Sequence, residues 1–156
     1  MLTAQMRLSR LSAYDFGFLE GRFSEENPKL APFFEEAVSE LRRFFELVVT
    51  GTGRPLAVLS KRVDALWHAF VLHTPEYRAF CDEVNGGYID HQPHSEATPV
   101  PGEAITNFYQ EYTERFGSAP EIWMEDIPSD YVAAIRQGQL PPEMLELRWS
   151  GWTGRV

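Results

Sequence analysis

Histidine and cysteine, two residue types that often bind transition metals, are concentrated in one stretch of this sequence. All four histidines, His68, His73, His91 and His94, lie in a short segment that also contains the only cysteine, Cys81. Imidazole, thiolate and carboxylate groups are the usual protein ligands of transition metals, and a site takes three or four of them. The clustering therefore predicts a metal site.

Asp64 and His68 form the strongest pair of candidate ligands. They are four residues apart in a segment with helical periodicity, so their side chains should lie roughly 40° apart around the helix axis. They fall at the border of the apolar stripe that contains Trp67 and Phe70. A metal bound there would be shielded from bulk water without being sealed in.

Cys81 and His91 complete the predicted ligand set. Cys81 lies on the inner face of the next predicted helix, where a helical hairpin would direct it towards the helix of Asp64 and His68. His91 lies in the loop beyond, which could close over that pair. A set of one Cys, two His and one Asp suits tetrahedral zinc, so zinc is the metal we expect. Iron or copper is the alternative if Cys81 is not a ligand.

His73 and His94 are peripheral in this prediction. His73 comes five residues after His68, which on a continuous helix turns it roughly 140° away from the candidate site. It joins the site only if the helix breaks, and otherwise we expect it to cap a helix C-terminus, where the dipole favours histidine. His94 is close to Glu96 in the sequence, and we expect it to be solvated.

Simpler explanations of the same residues stay open. Asp64 and His68 could form a charge-assisted hydrogen bond without any metal. A lone cysteine such as Cys81 is typically an inert buried residue. An enzymatic version would need an open ligand position for a metal-bound water, with Tyr77 or Tyr88 as the proton donor. Glycine-rich phosphate loops and the G-x-S-x-G nucleophile motif are absent from the sequence.

Hydrophobic periodicity predicts an all-α fold, a compact bundle of about five helices with a long loop rich in Gly, Pro and His. We predict helices over 31–49, from Ser60 to Leu72, from Thr74 to the Asn85-Gly86-Gly87 stop, from Ile105 to Phe116, and from Tyr131 to Ile135. The segment from Met1 to Phe23 fits either a short helix or an irregular apolar stretch, and the loop runs from Gly86 to Gly102. The predicted ligands therefore come from two neighbouring helices and one loop.

Length and composition predict one globular domain over residues 1–156, with a frayed tail at 150–156. With 14 basic and 23 acidic residues, the net charge is −9. The positive charge that nucleic-acid binding requires is missing, so we expect no nucleic-acid partner. No stretch approaches the ~18 consecutive apolar residues of a membrane span, so we expect no membrane insertion. The single cysteine and the lack of an apolar N-terminal run predict a cytoplasmic location.

A long, spaced set of residues resembles a known family. The set is Val63-Asp64-Ala65-Leu66-Trp67-His68, Thr74, Tyr77, Phe80-Cys81, Gly86-Gly87-Tyr88 and His91-Gln92-Pro93. It resembles the core of the glycine-rich domain-containing protein-like family. The later Tyr109, Phe116-Gly117, Pro120 and Trp123 resemble the C-terminal part of its small bacterial members. The resemblance covers about residues 31–123, without the glycine-rich tail of the plant members.

The resemblance implies a shared pattern of site residues and no particular activity, because that family has no settled biochemical function. The matching positions are Asp64, Trp67, His68, Thr74, Tyr77, Cys81 and His91. His73 and His94 fall at positions that the pattern does not require.

Two functions follow from these observations. The leading hypothesis is a helical domain that binds a metal, zinc first, with a metal-dependent enzyme as one version of it. The alternative is a non-enzymatic interaction module, in which an Asp/Trp/His hydrogen-bond cluster holds two helices together and the acidic surface binds a basic protein. The partner, a small molecule or a protein, and the oligomeric state have no signal in the sequence.

Overall fold

The computed structural model describes residues 1–92 and 102–137, and this part of the chain is all-helical, as the sequence predicts. Its seven α-helices are α1 (Ala4–Ala13), α2 (Glu20–Glu26), α3 (Phe34–Thr50), α4 (Lys61–Leu72), α5 (Thr74–Val84), α6 (Gly102–Phe116) and α7 (Ser129–Arg136). Short 3₁₀ helices cover Gly17–Leu19, Ala31–Phe33 and Glu121–Trp123. None of these described helices has the length and apolar character needed to cross a membrane.

The chain divides into two compact units. Of the described residues, the first contains 1–51 and 62–92, and the second contains 52–61 and 102–137. The helices predicted at 31–49, at 60–72 and at 74–84 correspond to α3, α4 and α5. The limits agree within one residue except at the start of α3, which is three residues later because a 3₁₀ helix covers 31–33. His94 and the tail at 150–156 lie outside the described residues. The single domain over 1–156 stays a prediction.

An aromatic core holds the helices of the first unit together. Phe45 of α3 and Phe70 of α4 both contact the ring of Phe80 on α5, with centroid distances of 4.9 and 5.0 Å. All three rings are buried, and a large side chain removed from water contributes roughly 1.5–3 kcal/mol. Because Phe70 and Phe80 lie on the same helices as Asp64 and Tyr77, this packing fixes the helices that carry the candidate site.

Two N-terminal helices, which the periodicity left undetermined, complete the first unit. α1 ends where the Arg42 guanidinium of α3 donates to the carbonyls of Leu11 and Tyr14, at 2.6 and 2.9 Å. A cation at this position satisfies carbonyls that a helix C-terminus leaves unpaired. α2 contributes Phe23, which is fully buried and packs against Phe34 at a centroid distance of 5.7 Å.

The connections around α5 determine where the following loop runs. α4 ends before Thr74-Pro75, since proline at the first turn of a helix favours a new start. α5 ends at Val84, and Gly86 terminates it two residues later, with a φ of +73° that suits glycine and an N–H that donates to the carbonyls of Cys81 and Asp82. The chain then continues without regular structure to Gln92.

The second unit has a separate core. Tyr109 of α6 donates its hydroxyl to the carbonyl of Trp123 at 2.6 Å, and Phe108 packs on the Trp123 ring at 4.6 Å. The extended segment before α4 is held to α6 because the Asn107 side-chain amide donates to the Pro55 carbonyl at 3.1 Å. None of the predicted ligands lies in this unit's described residues.

Candidate functional site

His91 and Asp64 are in direct contact, as the predicted closure of the loop over α4 requires. His91 Nε2 lies 2.9 Å from Asp64 Oδ1, and the two side chains are 13% and 15% exposed. An ionised carboxylate only accepts hydrogen bonds, so Nε2 carries the hydrogen. The pair is thus a largely buried, charge-assisted hydrogen bond between the loop and the first turn of α4.

The indole of Trp67 stacks against the imidazole of His91. The imidazole lies 8° from parallel to the indole, with ring centroids 4.3 Å apart. Trp67 is itself held by Phe44 and Phe45 of α3, at centroid distances of 5.2 and 5.3 Å. The face and one ring nitrogen of His91 are therefore both engaged by α4, which fixes the orientation of the imidazole.

Tyr77 links the two helices to the loop. Its hydroxyl accepts a hydrogen bond from Trp67 Nε1 at 3.0 Å and donates one to the carbonyl of Ile89 at 2.5 Å. Tyr77 and Trp67 are buried, and unpaired polar atoms at such depth are costly. The contacts form one continuous chain, which we call the clamp: Asp64, His91, Trp67, Tyr77 and Ile89.

His68 lies beside the clamp, one helical turn after Asp64. Burial lowers the pKa of His68 below its usual 6.5, the charge of Glu26 raises it, and His91 lowers it further. His68 is therefore neutral at pH 7, with a lone pair on one ring nitrogen. The structure thus brings Asp64, His68 and His91 into one electrostatic neighbourhood.

Cys81 lies on the Tyr77 side of the clamp. The thiol is fully buried, and burial raises its pKa, although hydrogen bonding to the Ile89 backbone and to Tyr77 acts in the opposite direction. A thiol with a raised pKa is a poor nucleophile and, without a metal, stays protonated at neutral pH. The immediate partners of Cys81 are thus Tyr77 and Ile89.

His73 takes the position expected of a helix cap. Its Nδ1 contacts the carbonyl of Ala69 in the last turn of α4, at 2.8 Å. Its ring also packs edge-on against Phe18, with centroids 5.4 Å apart. His73 therefore caps α4, while His94 lies outside the described residues.

α2 contributes two groups that the sequence did not identify as part of the site. Glu26 and Arg22 pair with each other at 2.8 Å, and the charges of both act on His68. The i,i+4 spacing of this ion pair was a helix signal around the apolar Phe23. Nothing local in the sequence could show that α2 lies next to α4, because that proximity depends on packing between distant segments.

The arrangement of these groups limits the chemistry that they can perform. Among residues 1–92 and 102–137, no three His, Cys, Asp or Glu side chains are grouped so that they could hold a metal ion. Burial raises the pKa of Tyr77 far above its usual 10, and its hydroxyl hydrogen is used by the Ile89 carbonyl. Tyr77 is thus a weak proton donor at neutral pH, and most polar atoms of the clamp already have partners.

Comparison with known proteins gives a family. A model of the UCP032817-like family matches residues 6–104, which include every residue of the clamp and most of the first unit. The chain belongs to this family. The family is uncharacterised, and its match does not connect the chain to the glycine-rich domain-containing proteins, so that resemblance stays a prediction. No curated protein and no solved structure shows significant similarity to the chain.

Proposed function

We propose that the chain is a non-enzymatic interaction module, in which the clamp holds the loop of residues 85–92 on α4 and α5. The observation that carries this proposal is the double use of the Tyr77 hydroxyl, which accepts from Trp67 and donates to Ile89. A side chain engaged in this way stabilises the fold and has no free atom for a substrate. The clamp is thus a structural element that shapes the surface around it.

The charge of the molecule supports a basic protein as the partner. The net charge of −9 favours association with positively charged surfaces and opposes association with phosphate backbones. Exposed carboxylates of the first unit lie on α2, on α3 and on α5. Electrostatic complementarity of this kind accelerates encounter and selects partners by charge.

The structural role of the clamp can be tested on protein that has been treated with a chelator. Asp64→Ala should lower the free energy of unfolding in metal-free buffer, because His91 then loses its acceptor. Asp90→Ala is the matched control, because it removes an exposed carboxylate from the loop that carries His91. It should leave the free energy of unfolding nearly unchanged. Equal stability of Asp64→Ala and wild type without metal would count against a structural clamp.

Metal binding is a second candidate, suggested by the contact of His91 with Asp64 and by His68 one helical turn away, and it would require these three side chains to come closer together than they are in the structure. In a metal site of this kind, the imidazoles of His68 and His91 bind the metal. Asp64 either binds the metal too or orients His91 through the hydrogen bond between them. Zinc remains the expected ion if Cys81 joins, and iron or copper if it does not. Ligation by Cys81 would require its thiol to leave the Tyr77 side of the clamp.

Elemental analysis of the purified protein distinguishes metal binding from a purely structural clamp. A bound metal should be present in stoichiometric amount in wild type, absent from His68→Ala and His91→Ala, and retained by His73→Ala, the control that removes a histidine outside the site. Wild-type protein without metal, even after incubation with zinc, iron(II) and copper(II) and removal of excess ion, would exclude it.

A further inference from the structure

An exposed aromatic surface lies near the C-terminal end of α4, away from the clamp contacts. Phe18 and Leu72 are 43% and 45% exposed, which is unusual for large apolar side chains of the described residues. The Phe18 ring packs on His73 and Phe70, at centroid distances of 5.4 and 5.9 Å. Phe18 is therefore held in place rather than loosely projecting, and it presents a fixed apolar face.

Carboxylates border this face. Burial raises the pKa of Tyr14 to about 12, and the charges of Glu83, Glu76 and Asp15 act in the same direction. Glu76 and Glu83 are seven residues apart, about two helical turns, and so share one face of α5. The Tyr14 ring is 6.4 Å from the Phe18 ring, so the charged border adjoins the apolar face.

The arginines of the neighbouring elements bond to backbone carbonyls. Arg42 donates to carbonyls at the end of α1, and Arg10 of α1 donates to the backbone carbonyl of Glu83 at 3.5 Å. Within the described residues, the side chains of Glu76 and Glu83 take part in no ion pair. The surface therefore combines fixed aromatic rings with carboxylates that are available to a partner.

We propose that this surface, made of Tyr14, Phe18, Leu72, Glu76 and Glu83, binds a segment of a partner protein that carries lysine or arginine beside an apolar residue. The apolar residue would cover Phe18 and Leu72, and the cation would lie over an aromatic ring beside the carboxylates. A second copy of this chain is disfavoured, because both copies carry the same excess of negative charge. The inference rests on the proposed function and assigns a surface to it.

The test measures binding of short fluorescein-labelled peptides to the full chain by fluorescence anisotropy. One peptide consists of lysine and leucine at helical spacing, and its counterpart has glutamate in place of lysine. Wild type should bind the lysine peptide, more weakly as salt is added, and should not bind the glutamate peptide. Phe18→Ala, and the double variant Glu76→Gln with Glu83→Gln, should each weaken binding by about tenfold, a change typical of a well-placed interface residue.

The matched control is Glu103→Gln with Glu114→Gln, which makes the same charge change at two exposed positions of α6. Thermal unfolding of every variant excludes loss of fold as a cause. Equal weakening by the control and the Glu76/Glu83 variant would overturn the proposed surface but leave a basic partner in place. No preference of wild type for the lysine peptide would overturn both the surface and the proposed function.

Discussion

The imidazole of His91 lies parallel to the indole of Trp67, 4.3 Å away, while its Nε2 is bonded to Asp64. Two contacts, one to the face of the ring and one to a ring nitrogen, fix an imidazole more firmly than either contact alone. Both come from α4, whereas His91 belongs to a loop without regular structure. This relationship explains how a short loop is held against two helices, and the predictions below follow from it.

Removal of the Tyr77 hydroxyl should destabilise the folded protein. Tyr77→Phe leaves the buried Trp67 N–H and Ile89 carbonyl without their partner, and each such group costs about 1–3 kcal/mol. We expect the free energy of unfolding to fall by about 2–4 kcal/mol in chemical denaturation. Tyr88→Phe is the control, since Tyr88 is 53% exposed, and its change should stay within about 0.5 kcal/mol. Similar effects of the two substitutions would show that the hydroxyl does not link the elements.

Cys81 should be unreactive in the folded protein. Its thiol is fully buried and its pKa is raised by burial, so little of the reactive thiolate is present at neutral pH. Mass spectrometry after a brief treatment with iodoacetamide should find Cys81 unmodified in native protein and fully modified in denaturant. Rapid alkylation of native protein would contradict the burial of this thiol beside Tyr77 and Ile89.

His68 should make stability depend on pH. Its pKa is lowered below 6.5 by burial, so the unfolded chain binds a proton at a higher pH than the folded chain does. The contribution of neutral His68 to the free energy of unfolding is fully present above the pKa of the unfolded chain. It is lost as the pH drops below 6.5 towards the lower pKa that His68 has in the folded chain. Denaturation series of wild type and His68→Gln should therefore show a shallower decline for the variant.

His73→Gln is the control for this pH series. It removes another histidine that lies outside the clamp, and its decline is the reference against which the change in His68→Gln is judged. A variant without His68 that follows the wild-type curve at every pH would show that burial of this imidazole does not affect stability.

The sequence predicted the fold class and the helices that carry the site, because these depend on local signals. The apolar stripe of α4, the proline after Thr74 and the glycines after Asn85 each correspond to an observed boundary. The periodicity of α1 and α2 was weaker, since both helices are short and largely polar. Their positions depend on contacts such as Arg42 with the end of α1, which no local pattern encodes.

The site itself was predicted in part. Helical spacing placed Asp64 and His68 on one side of α4, and the loop was expected to close over them; in the structure His91 contacts Asp64. The spacing could not show that Trp67 would lie under His91. Ligation by Cys81 remains a prediction, because helix periodicity directs a thiol inwards but does not determine which buried group it contacts. In the structure the neighbours of Cys81 are Tyr77 and Ile89.

The most direct test of the structural clamp is a double-mutant cycle between Asp64 and His91, measured by equilibrium unfolding in a buffer that contains a chelator. Asp64→Ala, His91→Ala and the double variant should reveal a coupling free energy of about 1–2 kcal/mol, since the pair is a largely buried hydrogen bond to a charged group. No coupling in metal-free buffer, followed by strong coupling once zinc is added, would contradict the clamp and favour a metal site.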